Sequence, residues 1–110
     1  MPKLATVVVD HDLRQYDFGK DHPLGSVRIA LTYENFERLR LLENPDIEVT
    51  RVRGSITEEQ LLRVHAGQYI ETVKAGSLEP DFFSLPHGIG TGDVPRFDHM
   101  HEASLRVCSA

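Results

Sequence analysis

The residues Tyr16 to Tyr33, YDFGKDHPLGSVRIALTY, decide how the N-terminal half of the chain is organised. Their centre is the pair His22-Pro23, in which proline fixes its own φ and keeps the preceding histidine out of the α region. This pattern predicts an extended entry into a helix. Arg28 then falls in the first turns of that helix, beside an apolar face. An arginine there either binds a ligand through its guanidinium or covers the core with its aliphatic stem.

The spacing of apolar residues predicts the first helix after this entry. Ile29, Tyr33 and Phe36 recur on one face of an α-helix. We expect Ser26 to cap the N-terminus, and the helix to run to about Leu42 and to stop before Asn44-Pro45. The stretch is therefore interpreted as a loop followed by an amphipathic helix.

Two short apolar segments predict β-strands. Residues Ala5 to Val9 form a β-branched run typical of a buried parallel strand, and residues Ile47 to Val52 alternate apolar and polar side chains. With about four helices, these strands indicate an α/β fold with a parallel sheet flanked by helices. Two strands cannot complete such a sheet, because each needs neighbours and helical cover. Residues 1–110 are therefore expected to be one incomplete domain.

The residues after the second strand predict further helices. Thr57 to Gln60, TEEQ, is a capping box, and the helix after it is expected to break near Ala66-Gly67. We expect that helix to end at Gly76 through a left-handed cap. Residues 77–96 show no clear period and indicate a long loop. A last helix is expected from Phe97 onward, with an apolar stripe formed by Met100, Ala103 and Val107.

The composition limits the classes of function. The 110 residues make at most one domain, and 40% apolar with 26% charged residues is ordinary for a globular protein. A net charge of −5 gives no support for nucleic acid or an anionic membrane as a partner. Cys108 is the single cysteine, and we expect it to be a small buried hydrophobe. Without an internal disulfide, a signal peptide or a membrane-spanning run, the sequence predicts a cytoplasmic location.

Four collinear segments resemble the histone deacetylase superfamily, and most of all its prokaryotic, acetoin-utilisation-type branch. They are the stretch quoted above with its Tyr-Asp-Phe-Gly, His-Pro-Leu and Arg-Ile motifs, Leu41 to Asn44 (LLEN), Glu58 to Val73, and Gly88 to Ala103 (GIGTGDVPRFDHMHEA). Together they cover nearly the whole chain. The resemblance implies an arginase-like fold and a zinc-dependent deacetylase, which hydrolyses the amide of acetyl-lysine or of an acetylated small amine.

The resemblance also implies that the catalytic centre lies elsewhere. The paired histidines, the zinc ligands and the transition-state tyrosine of the family fall beyond the matched region. The chain is therefore expected to be an N-terminal fragment with no catalytic residue or metal ligand of its own, inactive alone. Zinc and an acetylated substrate are expected for a full-length member. A fragment with open sheet edges and apolar helix faces is expected to self-associate. The alternative is a stand-alone, non-catalytic interaction module derived from that fold.

Five residues are candidates for a role in the site, and the resemblance implies the roles of two of them. Asp93 matches an aspartate at the rim of the active site that accepts hydrogen bonds from the backbone amides of the substrate; without the resemblance it would be a turn former. Arg28 matches an arginine at the inner end of the cavity, near the channel that releases acetate, and it could instead brace loop carbonyls. The loop-structuring residues are expected to be His22, Pro23 and Gly92.

Three other segments contain residue types that are typical of metal or phosphate binding. His99 and His101, beside Asp98, offer zinc-type ligands, but residues two apart on a helix point to different faces. The triplet from Asp10 to Asp12 alternates in direction on an extended chain. The glycine-rich loop from Gly88 to Asp93 lacks the preceding strand and the Lys-Ser/Thr of a phosphate-binding loop. A nucleotide site is not expected, and a small histidine-based metal site stays open as a third alternative.

Overall fold

The computed structural model describes residues 2–110, in which two strands and four α-helices follow one another along the chain. The strands are β1, Ala5–Val8, and β2, Ile47–Thr50. The helices are α1, Val27–Arg38; α2, Glu58–Leu61; α3, Gly67–Leu78; and α4, Met100–Ser109. Short 3-10 helices cover His11–Gln15, Leu41–Glu43 and Leu85–His87. Within this part of the chain, every helix is too short or too polar to cross a bilayer.

The two strands pair in parallel, as the sequence pattern predicts. Ala5 lies opposite Ile47, and Val8 lies opposite Thr50. α1 forms the crossover between them, which is how parallel neighbours are normally joined. In residues 2–110 the sheet has only these two strands, and Val49 of β2 stays 44% exposed. The α/β class is therefore confirmed at this coarse level, whereas the wider sheet of an arginase-like fold stays a prediction.

The beginning and the end of α1 differ from the sequence expectation. Ser26 occupies the N-cap position with helical φ and ψ of −67° and −14°, and its hydroxyl donates to the Asp17 carboxylate instead of accepting from a helix amide. The predicted N-cap position of Ser26 is therefore confirmed, but Ser26 makes no side-chain capping bond. The helix ends at Arg38, short of Leu42, because Arg40 takes the left-handed conformation with a φ of 56°.

The capping box at the start of α2 is confirmed. The Thr57 hydroxyl oxygen accepts from the Gln60 N–H at 3.1 Å, and the Gln60 side-chain oxygen accepts from the Thr57 N–H at 2.8 Å. The break near residue 66 is confirmed too, since α2 ends at Leu61 and α3 begins at Gly67. The two reciprocal bonds satisfy amides that have no partner within the helix.

The predicted left-handed cap at Gly76 is wrong, because α3 continues through this glycine to Leu78. Gly76 is buried instead, at a close contact between elements. A Cβ added there would lie 3.3 Å from both Met100 Sδ and Phe82 Cδ1. The glycine therefore allows α3 to approach α4 closely, since it has no side chain to separate them.

A small apolar core lies between α3, α4 and the segment that joins them. Its buried members are Val73, Ile89 and Met100, with Phe82 and Phe97 packed against them. Ile89 is only 1% exposed although it belongs to the predicted loop of residues 77–96. That segment is thus anchored by its own core residue and by the antiparallel bridge between Ser84 and Ile89.

Helix α4 begins at Met100, three residues after the predicted start. Met100 and Ala103 are buried, at 4% and 3% exposure, as the predicted apolar stripe requires. Val107 is 45% exposed, so it does not belong to the core. Cys108 is exposed as well, and the expectation of a buried cysteine is wrong. Both side chains line the open groove between α3 and α4, where they remain in contact with solvent.

Candidate functional site

The loop before α1 packs against the loop before α4. The rings of Tyr16 and Phe18 each meet the Phe97 ring edge to face, with centroids 5.6 and 5.7 Å apart. The His22 Nε2 atom lies 2.9 Å from the backbone carbonyl oxygen of Asp93. We call these five residues the loop junction. It brings together two of the residues that the resemblance singles out, His22 and Asp93.

Asp17 organises the first of these loops. One carboxylate oxygen accepts from the Gly19 N–H at 2.7 Å, and the other accepts from the Ser26 N–H at 3.3 Å and from the Ser26 hydroxyl. The Ser26 hydroxyl and the Gly19 amide hold the pKa of Asp17 below its ordinary value, although burial acts in the opposite direction. Asp17 was not among the residues that the sequence motifs predicted for the site. Its signal is an aspartate two positions before a glycine, the pattern of an Asx turn.

His22 makes three hydrogen bonds. Its backbone N–H donates to the Gly19 carbonyl at 3.1 Å, its Nδ1 accepts from the Leu24 N–H at 3.1 Å, and its Nε2 donates to the Asp93 carbonyl. Pro23 stands between the histidine and Leu24 and has no N–H, so Leu24 offers the first amide that can reach Nδ1. The loop-structuring roles of His22 and Pro23 are compatible with this geometry and stay predictions.

The second loop closes on itself beside Asp93. The Gly90 N–H donates to the Val94 carbonyl at 2.8 Å, and the Thr91 hydroxyl oxygen accepts from the Val94 N–H at 3.2 Å. Gly90 has a φ of 87°, and an added Cβ would lie 2.6 Å from the Phe82 carbonyl oxygen. Gly92 has a φ outside the left-handed region and open space around it. The backbone need for glycine therefore lies at Gly90 rather than at Gly92.

Asp93 presents its two polar groups in different directions. Its backbone carbonyl faces His22, whereas the residue as a whole is exposed to solvent. Throughout residues 2–110, its carboxylate receives no hydrogen bond from another group. An exposed carboxylate on a closed loop can accept N–H donors from a ligand. The Asp93 carboxylate is thus accessible to a ligand, as the substrate-orienting role requires, and the role itself stays a prediction.

Arg28 lies on the first turn of α1 and is exposed. Its Nε donates to the Gly25 carbonyl at 3.2 Å, which is the carbonyl-bracing arrangement that the sequence left open. The two terminal nitrogens of the guanidinium keep their donors for another acceptor. The product-channel role is neither supported nor opposed by this contact.

A mostly apolar groove of about 240 Å³ opens between α3 and α4. Its floor is formed by Leu61, Ile70 and Val73, and polar side chains at its rim include Tyr69, His101 and Cys108. Tyr16 reaches the groove from the loop junction, where burial raises the pKa of its phenol, with a further contribution from Tyr69 and Cys108. Arg28 is not among the residues that line this groove.

The candidate zinc ligands near α4 do not converge. Asp98 accepts from the Arg96 guanidinium at 2.7 Å, His99 is the N-cap of α4 with a φ of 62°, and His101 lines the groove. No three or more histidine, cysteine, aspartate or glutamate side chains of the described chain come together around a metal position. These residues therefore do not fit a zinc site by themselves, and we assign them no zinc chemistry.

A second polar centre lies at the carboxyl end of β1, where Asp10 is only 7% exposed. Its carboxylate accepts from the Arg106 guanidinium at 2.8 Å, from the Asp12 N–H at 3.0 Å and from the Val52 N–H at 3.3 Å. Burial raises the pKa of Asp10, but the guanidinium and the amides outweigh it, and the pKa lies below its ordinary value of 3.8. Asp10 thus joins β1 to α4 and to the chain after β2.

The curated proteins that the chain matches are named acetoin utilization protein AcuC. The chain is 37% identical to AcuC of Bacillus subtilis (strain 168) over 92 residues, which are 81% of this chain and 23% of that protein. It is 28% identical to AcuC of Staphylococcus aureus (strain MRSA252) over 109 residues, 97% of this chain and 27% of that protein. The identity to AcuC of Staphylococcus aureus (strain MW2) is 29% over 107 residues, or 96% and 26%.

These matches cover most of this chain but only a part of each relative. The chain spans about a quarter of the length of the curated relatives it matches. No protein-family profile matches it, and no solved structure matches it. The resemblance seen in the four motifs is nevertheless confirmed, since the identity extends over four-fifths or more of the chain. Along most of its own length, this chain is a relative of acetoin utilization protein AcuC.

Proposed function

We propose that the chain is the N-terminal segment of a zinc-dependent deacetylase, which hydrolyses the amide bond of acetyl-lysine or of an acetylated small amine. The observation that carries the proposal is the match to AcuC over 81–97% of the chain, together with the motifs of the deacetylase superfamily that the match contains. The segment would supply the first parallel strands, the early helices and one part of the substrate rim. The zinc ligands and the catalytic histidines would come from the remainder of the enzyme.

In this proposal Asp93 orients the substrate. A carboxylate that accepts two backbone N–H groups from the same ligand fixes both its position and its direction. The exposed side chain of Asp93 and the closed loop that carries it support this role, because neither must rearrange before a ligand binds. Arg28 would guide the acetate product through the guanidinium nitrogens that the Gly25 carbonyl leaves available.

A hybrid enzyme tests the proposal. This chain replaces the matched segment of Bacillus subtilis AcuC, and acetate release from an acetyl-lysine peptide is measured. We expect the hybrid to be active. We expect Asp93→Asn to lower kcat/KM about 10-fold or more. The neutral amide oxygen of asparagine accepts hydrogen bonds from the substrate amides more weakly than a carboxylate does. Asp81→Asn, at an exposed aspartate earlier in the same segment, is the matched control and should leave kcat/KM unchanged.

The hybrid also separates the proposal from the stand-alone interaction module, which predicts no contribution to catalysis. A hybrid that folds by circular dichroism and releases no acetate contradicts the deacetylase proposal. If the whole-segment exchange fails to fold, exchange of residues 88–97 alone provides the second test. Equal kcat/KM values for Asp93→Asn and Asp81→Asn would show that the Asp93 carboxylate does not orient the substrate.

The chain on its own is expected to be inert, because no group of three or more ligand side chains converges on a zinc position within residues 2–110. The purified 110-residue chain, supplied with Zn²⁺ and an acetyl-lysine peptide, should release no acetate above the buffer control. Activity that a chelator abolishes would show that the reactive centre lies within this chain, against the proposal.

A further inference from the structure

We infer that His22 is a positioning residue for Asp93. Through its Nε2–H it holds the backbone carbonyl of Asp93 at 2.9 Å, across 71 residues of sequence, and so fixes the position of the backbone that carries the Asp93 carboxylate. The inference rests on the proposed function, in which that carboxylate orients the substrate. It assigns His22 a geometric role and no proton transfer.

The partners of the His22 ring select one tautomer. A carbonyl oxygen can only accept, so the Nε2 atom that faces Asp93 carries the proton. A backbone N–H can only donate, so the Nδ1 atom that faces Leu24 carries a lone pair. Both conditions are met by the neutral Nε2–H form. A proton on Nδ1 would instead place two N–H groups against each other.

Neighbouring residues restrain the His22 ring independently of its bond to Asp93. The His22 N–H donates to the Gly19 carbonyl, and the Gly19 N–H in turn donates to the Asp17 carboxylate. The Phe18 ring lies against the imidazole, with centroids 4.6 Å apart. Rotation of the imidazole would therefore break the Leu24 bond and lose this ring contact. A group restrained by its neighbours in this way can position another with little loss of entropy.

At the other end, the peptide unit that joins Asp93 to Val94 is held from both sides. Its carbonyl oxygen accepts from His22 Nε2–H, and its N–H donates to the Thr91 hydroxyl oxygen at 3.2 Å. Because a peptide unit is planar, two bonds on opposite sides fix its rotation. The Cα atom of Asp93 lies in that plane, so losing the His22 bond frees the backbone that carries the carboxylate to move away from the substrate.

Two amide substitutions separate the two nitrogens of the ring. The side-chain nitrogen of Gln reaches the position of Nε2, whereas the oxygen of Asn occupies the position of Nδ1. His22→Gln can therefore keep the bond to Asp93, and His22→Asn can keep only the bond to Leu24. In the 110-residue chain, nitrogen NMR should show the Nε2–H tautomer for native His22. The exchange rate of the Val94 amide should rise about 5-fold or more in His22→Asn and stay within about twofold in His22→Gln.

The hybrid enzyme gives the functional measurement. There His22→Asn should raise the KM for an acetyl-lysine peptide about 5-fold or more with kcat within about twofold, and His22→Gln should restore the native KM. Equal amide exchange in the two variants, or an Nδ1–H tautomer, overturns the inference even in an active hybrid. An inactive native hybrid overturns the proposed function, and the substrate role of His22 with it, while the exchange rates still report whether His22 braces the loop.

Discussion

At the scale of single residues, Asp10 is the strongest candidate for a stabilising polar contact. Its buried carboxylate accepts from Arg106 and from two backbone amides. Asp10→Asn removes the charge that pairs with the guanidinium, so we expect the free energy of unfolding to fall by about 2 kcal/mol. Asp12→Asn is the control, because Asp12 meets the same guanidinium at 3.2 Å but is 59% exposed, and its change should stay below about 0.5 kcal/mol. Urea unfolding measures both, and equal losses would contradict the assignment.

The lowered pKa of Asp10 also predicts a pH dependence of stability. Because the folded state binds this proton less readily than the unfolded state, the contribution is fully present above the ordinary pKa of 3.8. It is lost as the pH falls below 3.8 and through the folded-state pKa. Between pH 6 and pH 3, native protein should therefore lose more stability than Asp10→Asn does. Asp17, whose pKa is lowered too, is present in both proteins and cancels from the comparison. Parallel pH profiles would contradict this prediction.

Residue-level contacts were only partly predictable from the sequence. An acidic residue after an apolar strand marks a strand end, and Asp10 does lie there. Its partner Arg106 is 96 residues away, and no local pattern links the two. Sequence rules do not decide the direction of the Ser26 side chain: its hydroxyl donates to the Asp17 carboxylate and accepts from no helix amide. Long-range partners thus override local preferences.

At the scale of elements, the loop before α4 depends on a glycine at one position. Gly90→Ala would place a Cβ 2.6 Å from the Phe82 carbonyl oxygen at a φ of 87°. We expect a loss of about 2 kcal/mol or more, since left-handed backbone and a clash with another carbonyl act together. Gly92→Ala is the matched control, with nothing within 4 Å of its added Cβ. Thermal unfolding should show a clearly lower Tm for Gly90→Ala only; equal Tm values would contradict this account.

The elements themselves were largely predictable, whereas several of their ends were not. Apolar periodicity and the capping box are local signals, and they place α1, α2 and the break before α3. The end of α1 depends on Arg40, which adopts the left-handed conformation. Arginine has no preference for that conformation, so its residue type does not predict the helix end. Gly76 has the residue type of a helix end, but contact with α4 keeps it inside α3. In the candidate site, His22 and Asp93 were singled out by motif, and their direct contact was not.

At the scale of the whole molecule, the chain buries less surface than its size allows. Its accessible area is 7878 Å² for 12.4 kDa, against about 6,100 Å² for a folded monomer of that mass. Its radius of gyration is 16.4 Å, against about 13 Å for a domain of this length. Large apolar side chains contribute to the difference, among them Leu4 at 83% and Leu78 at 77% exposure. In the proposed full-length deacetylase, the remainder of the α/β fold would cover this surface.

The unpartnered surface predicts self-association of the isolated chain. On α1, Val27 and Leu31 are 59% and 53% exposed and lie one turn apart, so they form a continuous apolar stripe. Sedimentation equilibrium at tens of micromolar should give a mean mass above 12.4 kDa that falls on dilution. Leu31→Glu should shift the equilibrium toward monomer, because a charge on the stripe must be desolvated on association. Thr32→Glu adds the same charge beside the stripe and should change the mean mass much less. A monomeric native chain at every concentration, without binding of a hydrophobic dye, would mean that this surface is stable in water and needs no partner.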